Sequence, residues 1–111
     1  MASIEEIIKW FNGQGNETIL SNQYLSQEII APKAIDSAAI ENISFLNAKN
    51  KDRVPELIKE TLCKIVILEK SLADIELINS IKGMSFILSD NPKADILGFC
   101  KEFLGFDKKV E

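Results

Sequence analysis

Apolar and polar positions follow two periods along this chain, and each change of period marks an element. Ile4, Ile7, Ile8 and Phe11 recur at intervals of three and four, which predicts a helix over residues 4–12. Ser3 and Glu6 form a capping box at its start, and Gly13 with Gly15 supplies the stop. Residues 17–20 and 24–30 read as weak strands separated by Ser21, Asn22 and Gln23, and Pro32 is expected to interrupt the ladder. A short strand from Ile43 to Leu46 then runs into the polar stretch 47–52. Asp52 is placed to cap a helix over 53–62 that carries Pro55 in its first turn and Val54, Leu57, Ile58 and Leu62 on one side.

Two later runs lose the alternation altogether. Residues 64–68 and 84–88 are almost uninterruptedly apolar, the mark of strands buried on both faces, and such strands belong mostly to parallel sheets. Between them, Ile75, Ile78 and either Leu77 or Ile81 predict a crossover helix over 73–82, with Gly83 as its stop. Asn91 and Pro92 open a last helix whose apolar face is Ile96, Leu97, Cys100, Phe103 and Leu104 and whose end is Gly105. The expected fold class is α/β: a small sheet with right-handed crossover helices packed on it, formed by residues 1–106, with 107–111 as a charged tail or linker.

Composition narrows the functional classes. A formal charge of −4, from thirteen Lys and Arg against seventeen Asp and Glu spread along the chain, leaves no basic stripe to neutralise a phosphate backbone, so nucleic acid is not an expected partner. The apolar runs fall short of the roughly 20 residues that span a bilayer, and the acidic N-terminus is unlike a secretory signal, so a soluble cytoplasmic protein is expected. Cys63 and Cys100 have neither metal-ligand nor disulfide-framework spacing and read as buried free thiols. The chain has no histidine, the commonest general base and neutral metal ligand, so neither a metal nor a cofactor is expected.

Catalytic signatures are correspondingly sparse. Gly13 and Gly15 lack the third glycine and the preceding strand of a phosphate-cradling loop and read as a turn. Ser37 and Ser44 have no histidine to activate them, and Glu5, Glu6, Asp90 and Asp95 fall in first turns of helices, where the helix dipole favours negative charge. The loop after Phe45 differs. An aromatic ring at a strand end can stack on a base, the Asn47 carboxamide matches the carbonyl and N–H edge of uracil, and Lys49 with Asn50 can serve a diphosphate. On composition alone an ordinary core phenylalanine of a short strand explains Phe45 better than a ligand site does.

The unbroken stretch Ile35, Asp36, Ser37, Ala38, Ala39, Ile40, Glu41, Asn42, Ile43, Ser44, Phe45 and Leu46 resembles a segment of the N-terminal domain of UDP-3-O-acylglucosamine N-acyltransferases of the lipid A pathway. The order of the later elements is also similar: an Asn and Lys loop, a helix, the run 64–68, and a second strand leading to Asp90, Asn91 and Pro92. The resemblance implies a fold like the uridine-binding N-terminal domain of those enzymes and of Mur ligases. It implies recognition of a UDP-acylglucosamine-like nucleotide sugar, with Phe45 stacking on uracil, Asn47 reading its edge, and Lys49 and Asn50 beside them. Acyl transfer from acyl carrier protein would need a C-terminal β-helix of hexapeptide repeats, which also makes the trimer; the catalytic histidine lies there, and an isolated domain would be monomeric. The family's Asn is followed by Pro, Lys and Tyr, whereas Asn47 stands one residue nearer the ring and precedes Ala48, Lys49 and Asn50. Without that second aromatic, weaker uridine binding is implied. The alternative is a non-enzymatic interaction or positioning module that kept the fold and lost the ligand.

Overall fold

An apolar run without alternation has no side to offer water, and the computed structural model, which describes residues 2–21 and 23–105, puts both such runs at the centre of one sheet. The strands are β1 (Ala2–Ser3), β2 (Thr18–Ile19), β3 (Glu28–Ile29), β4 (Ala31–Pro32), β5 (Asn42–Leu46), β6 (Ile65–Glu69) and β7 (Ser85–Ser89). Five of them form a mixed sheet in the order β2-β7-β6-β5-β4, in which β4 to β7 are parallel and β2 joins β7 antiparallel. β1 and β3 pair separately as a short antiparallel ribbon. The α/β class expected from the pattern is the class found.

Four helices, α1 (Ile4–Gly13), α2 (Val54–Glu60), α3 (Ile75–Ser80) and α4 (Pro92–Phe99), cover the sheet. Successive strand residues point to opposite faces, so each strand serves two cores. Ile65, Ile67 and Ile87 pack with Ile4, Ile7, Ile8 and Phe11 of α1 and with Ile96 and Phe99 of α4. Their neighbours Val66, Leu68, Phe86 and Leu88 pack on the other face with Val54, Leu57 and Ile58 of α2 and Ile78 of α3. Each such side chain contributes about 1.5–3 kcal/mol by leaving water, which is how helices as short as α2 and α3 are held.

Local chemistry sets most of the ends. Ser3 Oγ accepts the Glu6 N–H at 3.2 Å and Glu6 Oε1 accepts the Ser3 N–H at 2.9 Å, the reciprocal cap of α1. Asn91 Oδ1 accepts the Ala94 N–H at 3.3 Å, and Gly105 closes the last helical stretch with φ +68°. Both cysteines are buried and free, as expected. Among the described residues no helix is long and apolar enough to cross a membrane. The tail 107–111 lies outside them.

The structure corrects several boundaries. Asp52 does not cap α2: the polar stretch winds into a 3₁₀ turn, Ala48–Arg53, that runs straight into the helix, so the start to be capped lies earlier, at Asn47. Pro32 does not break the ladder but lies in β4 at the sheet edge, where its missing N–H is harmless, and the Lys33 N–H continues pairing to the Ile43 carbonyl at 3.0 Å. Thr61 is extended, so α2 stops at Glu60 and leaves Leu62 exposed. Of the stretch 24–30 only Glu28–Ile29 is strand: Tyr24 adopts a left-handed φ of +61°, and the Gln27 N–H donates back to the Tyr24 carbonyl at 3.0 Å, so residues 24–27 form a turn. The helix expected over 73–82 is shorter, capped by the Asp74 carboxylate, with Ile78 buried and Ile75 exposed. Leu97 is exposed rather than facing the core. The chain after α4 widens into a π-helical turn, Cys100–Leu104, which sets the Phe103 ring 5.3 Å from Phe99 and 5.6 Å from Trp10.

Candidate functional site

Because β5, β6 and β7 are parallel, their carboxyl ends lie along one edge of the sheet. The chain leaves β5 and β6 toward the face of α2 and α3, but leaves β7 toward α4 on the opposite face. Connections that part in this way open a crevice of the kind in which α/β sheets commonly bind ligands, here between the ends of β6 and β7, one strand away from β5.

Phe45 and the turn after it stand at this edge. The ring points to the α1 and α4 face, where it is only partly buried against the core around Ile43, Ile67 and Phe99. It is therefore not sealed in the interior, an arrangement that would have denied it any ligand. Asn47 is half-buried, Lys49 is exposed, and Asn50 is half-buried. The turn is tied by its own side chains: Asn47 Oδ1 accepts the Lys49 N–H at 3.0 Å, Asn50 Oδ1 accepts the Asn47 N–H at 3.0 Å, and the Asn50 N–H donates to the Asn47 carbonyl at 2.8 Å. The Asn47 side-chain amino group donates to nothing among the described residues, and Lys49 makes no ion pair among them.

Pattern reading missed the second strand end. Glu69, the last residue of β6, accepts the Ala48 N–H at 2.9 Å with Oε1 and the Ser71 hydroxyl at 2.9 Å with Oε2. One carboxylate thus binds the turn after β5 to the turn after β6. Beyond it, Lys70 Nζ reaches Asp90 Oδ1 at 3.5 Å across to β7, an exposed pair that contributes little to stability. The signal was present in Glu69, Lys70 and Ser71, polar residues directly after a buried strand, and it is the same signal that singled out 47–50.

A cavity of about 260 Å³ opens beside the turn on the α2 and α3 face, lined by Lys51, Val54, Pro55, Ser71, Asp74 and Leu77 among others. Phe45 does not line it; the ring lies on the other face of the sheet. The four residues singled out in the sequence therefore share one edge, but the cavity and the ring flank that edge from opposite sides.

No family model and no curated protein matches the chain.

Among the described residues, no three His, Cys, Asp or Glu side chains come together as a metal site. Ser44, one residue from the ring, is buried, and its hydroxyl has no partner among the described residues, so no base stands beside it. Cys63 is held protonated, its thiol pushed up to about 11 by burial. Besides the Phe45 ring, the edge carries the Asn47 and Asn50 carboxamides, Lys49, the Glu69 and Asp90 carboxylates, Lys70 and the Ser71 hydroxyl.

Proposed function

We propose that the domain recognises the uridine part of a UDP-acylglucosamine-like nucleotide sugar, as the non-catalytic portion of an N-acyltransferase acting in lipid A or related surface-glycan biosynthesis. The observation that carries this reading is the partly exposed Phe45 ring at the carboxyl end of a parallel strand, followed directly by the Asn47 to Asn50 turn. Stacking on a base contributes about 1–3 kcal/mol. The free amino group of Asn47 can donate to a uracil carbonyl, and Lys49 supplies a point charge for the diphosphate. Acyl transfer itself belongs to a further domain in this reading, with acyl carrier protein as donor, since the described residues hold no catalytic set.

One observation favours the second reading, a positioning module without ligand. The side-chain oxygens of Asn47 and Asn50 are both engaged in closing their own turn. Titration with UDP-N-acetylglucosamine, followed by the NMR signals of amides 47–50 and of the Phe45 ring, separates the two. Saturable shifts confined to that edge are expected for nucleotide-sugar recognition. Unmoved signals at millimolar ligand overturn it in favour of the positioning module.

A further inference from the structure

The opposite edge of the sheet carries its own chemistry. A cavity of about 240 Å³ lies where α2 and α3 end and β6 and β7 begin, and its lining includes Lys59, Thr61, Lys64, Ser80, Lys82 and Met84. No carboxylate lines it, and none of the three lysines makes an ion pair among the described residues. In a chain with a net charge of −4 this is a local inversion of sign.

Helix ends account for only part of it. The negative end of a helix dipole favours a cation, which explains Lys59 in the last turn of α2. The last turn of α3 has no basic residue, however, and Lys64 and Lys82 come from the segments leading into β6 and β7. Three lysines from three segments thus line one concavity; the Thr61 and Ser80 hydroxyls beside them already donate to the Ile35 and Leu77 carbonyls, at 2.9 and 2.7 Å, so the lysines are its side-chain donors. Lys64 Nζ also sits 5.0 Å from the centroid of the ring of Tyr24, a residue outside this lining, and that contact leaves the ammonium charged. Like charges gathered around one cavity repel, and an anion bearing several negative oxygens removes that repulsion while using the lysine N–H donors.

We propose that this cavity is a binding site for a small phosphate-bearing anion. It is separate from the nucleotide-sugar edge: β6 and β7 are five residues long, which puts the two ends of the sheet roughly 15 Å apart. A second cavity, of about 340 Å³, shares Ile81, Lys82 and Met84 with it and adds Gln23 and Asn79. Its place beside the first cavity, across Ile81, Lys82 and Met84, offers a position for the organic part of a phosphate monoester.

The test is an NMR titration of the whole chain with inorganic pyrophosphate, with glucose 6-phosphate as the monoester arm and sulfate as a control for bare charge. Saturable shifts at Lys59, Thr61, Lys64, Ser80 and Lys82 are expected, with sulfate the weakest of the three. Additional shifts at Gln23 and Asn79 with the sugar phosphate alone identify a monoester as the fitting source, whereas shifts limited to the lysine cavity identify free polyphosphate. The K59Q/K82Q variant changes two exposed side chains and is expected to weaken pyrophosphate roughly tenfold to a hundredfold. Shifts spread evenly over all lysines, equal affinity for sulfate, an unchanged affinity in K59Q/K82Q, or shifts confined to 47–50 would each overturn the proposal. The last of these would leave the nucleotide-sugar reading standing.

Discussion

The Ala48 N–H donates to Glu69 Oε1 at 2.9 Å, so the turn after β5 is anchored on the last residue of β6. These two residues are twenty-one positions apart in the chain, and the bond between them ties the Asn47 to Asn50 turn to the neighbouring strand. Glu69→Ala removes the acceptor of both Ala48 and Ser71. A loss of about 1 kcal/mol is expected, because the bonds are partly exposed and water replaces them in part. Chemical denaturation measures the loss, and faster hydrogen exchange at amides 48–50 with unchanged exchange in β7 shows that it is local.

Phe45→Leu keeps an apolar side chain against Ile43 and Phe99 but removes the ring face. Stability is expected to fall by less than about 1.5 kcal/mol, as for other swaps of apolar side chains of similar volume. Affinity for UDP-N-acetylglucosamine is expected to fall roughly tenfold or more, because stacking is lost. Calorimetric titration alongside thermal unfolding checks both. Equal affinity in the variant would show that the ring acts in packing alone.

Burial raises the Cys63 thiol to about 11 from an ordinary 9.0, against the opposing pull of the backbone groups around it. A folded-state pKa above the unfolded one favours folding as long as the thiol is protonated in both states, so this contribution is complete below pH 9 and is lost as the pH rises toward about 11. Wild type and Cys63→Ala, compared by denaturation across that window, are expected to converge as the pH rises. Below pH 9 the thiol is expected to resist aromatic disulfide reagents until the chain is unfolded.

Gly83 has φ +83°, and a Cβ built on it would lie 2.6 Å from Gln23 Oε1 and 3.2 Å from the Tyr24 ring. The Gln23 side chain can swing away, but the left-handed backbone remains. Gly83→Ala is therefore expected to destabilise by about 1–2 kcal/mol, measured as a lower thermal midpoint. Gln23→Ala in the same background should recover little of it.

Periodicity made the architecture legible. The uninterrupted runs 64–68 and 84–88 identified the central parallel strands, since a strand with no polar positions has no wet face, and Ser3, Glu6, Asn91 and Gly105 marked ends whose chemistry is local. Where a boundary depended on a neighbour, the pattern misled. Pro32 looks like a breaker until an edge position makes its missing donor irrelevant, and Asp52 looks like a cap until the preceding turn is seen to be helical already. Leu97 falls on the expected face by spacing, but that face is decided by where the sheet lies.

The candidate site divides in the same way. Phe45, Asn47, Lys49 and Asn50 were visible because they are contiguous, and contiguity after a strand is a property of the chain alone. The tie from Ala48 to Glu69, and the lining of one cavity by Lys59, Lys64 and Lys82, join segments apart in sequence. Residue order determined the elements, their caps and the two-faced strands of the centre, because those depend on interactions within a few positions. Only the packed sheet decided which strand ends meet, which ring stays partly exposed and which lysines line one cavity, because backbone hydrogen bonds between distant strands and burial on two faces act across the whole chain at once.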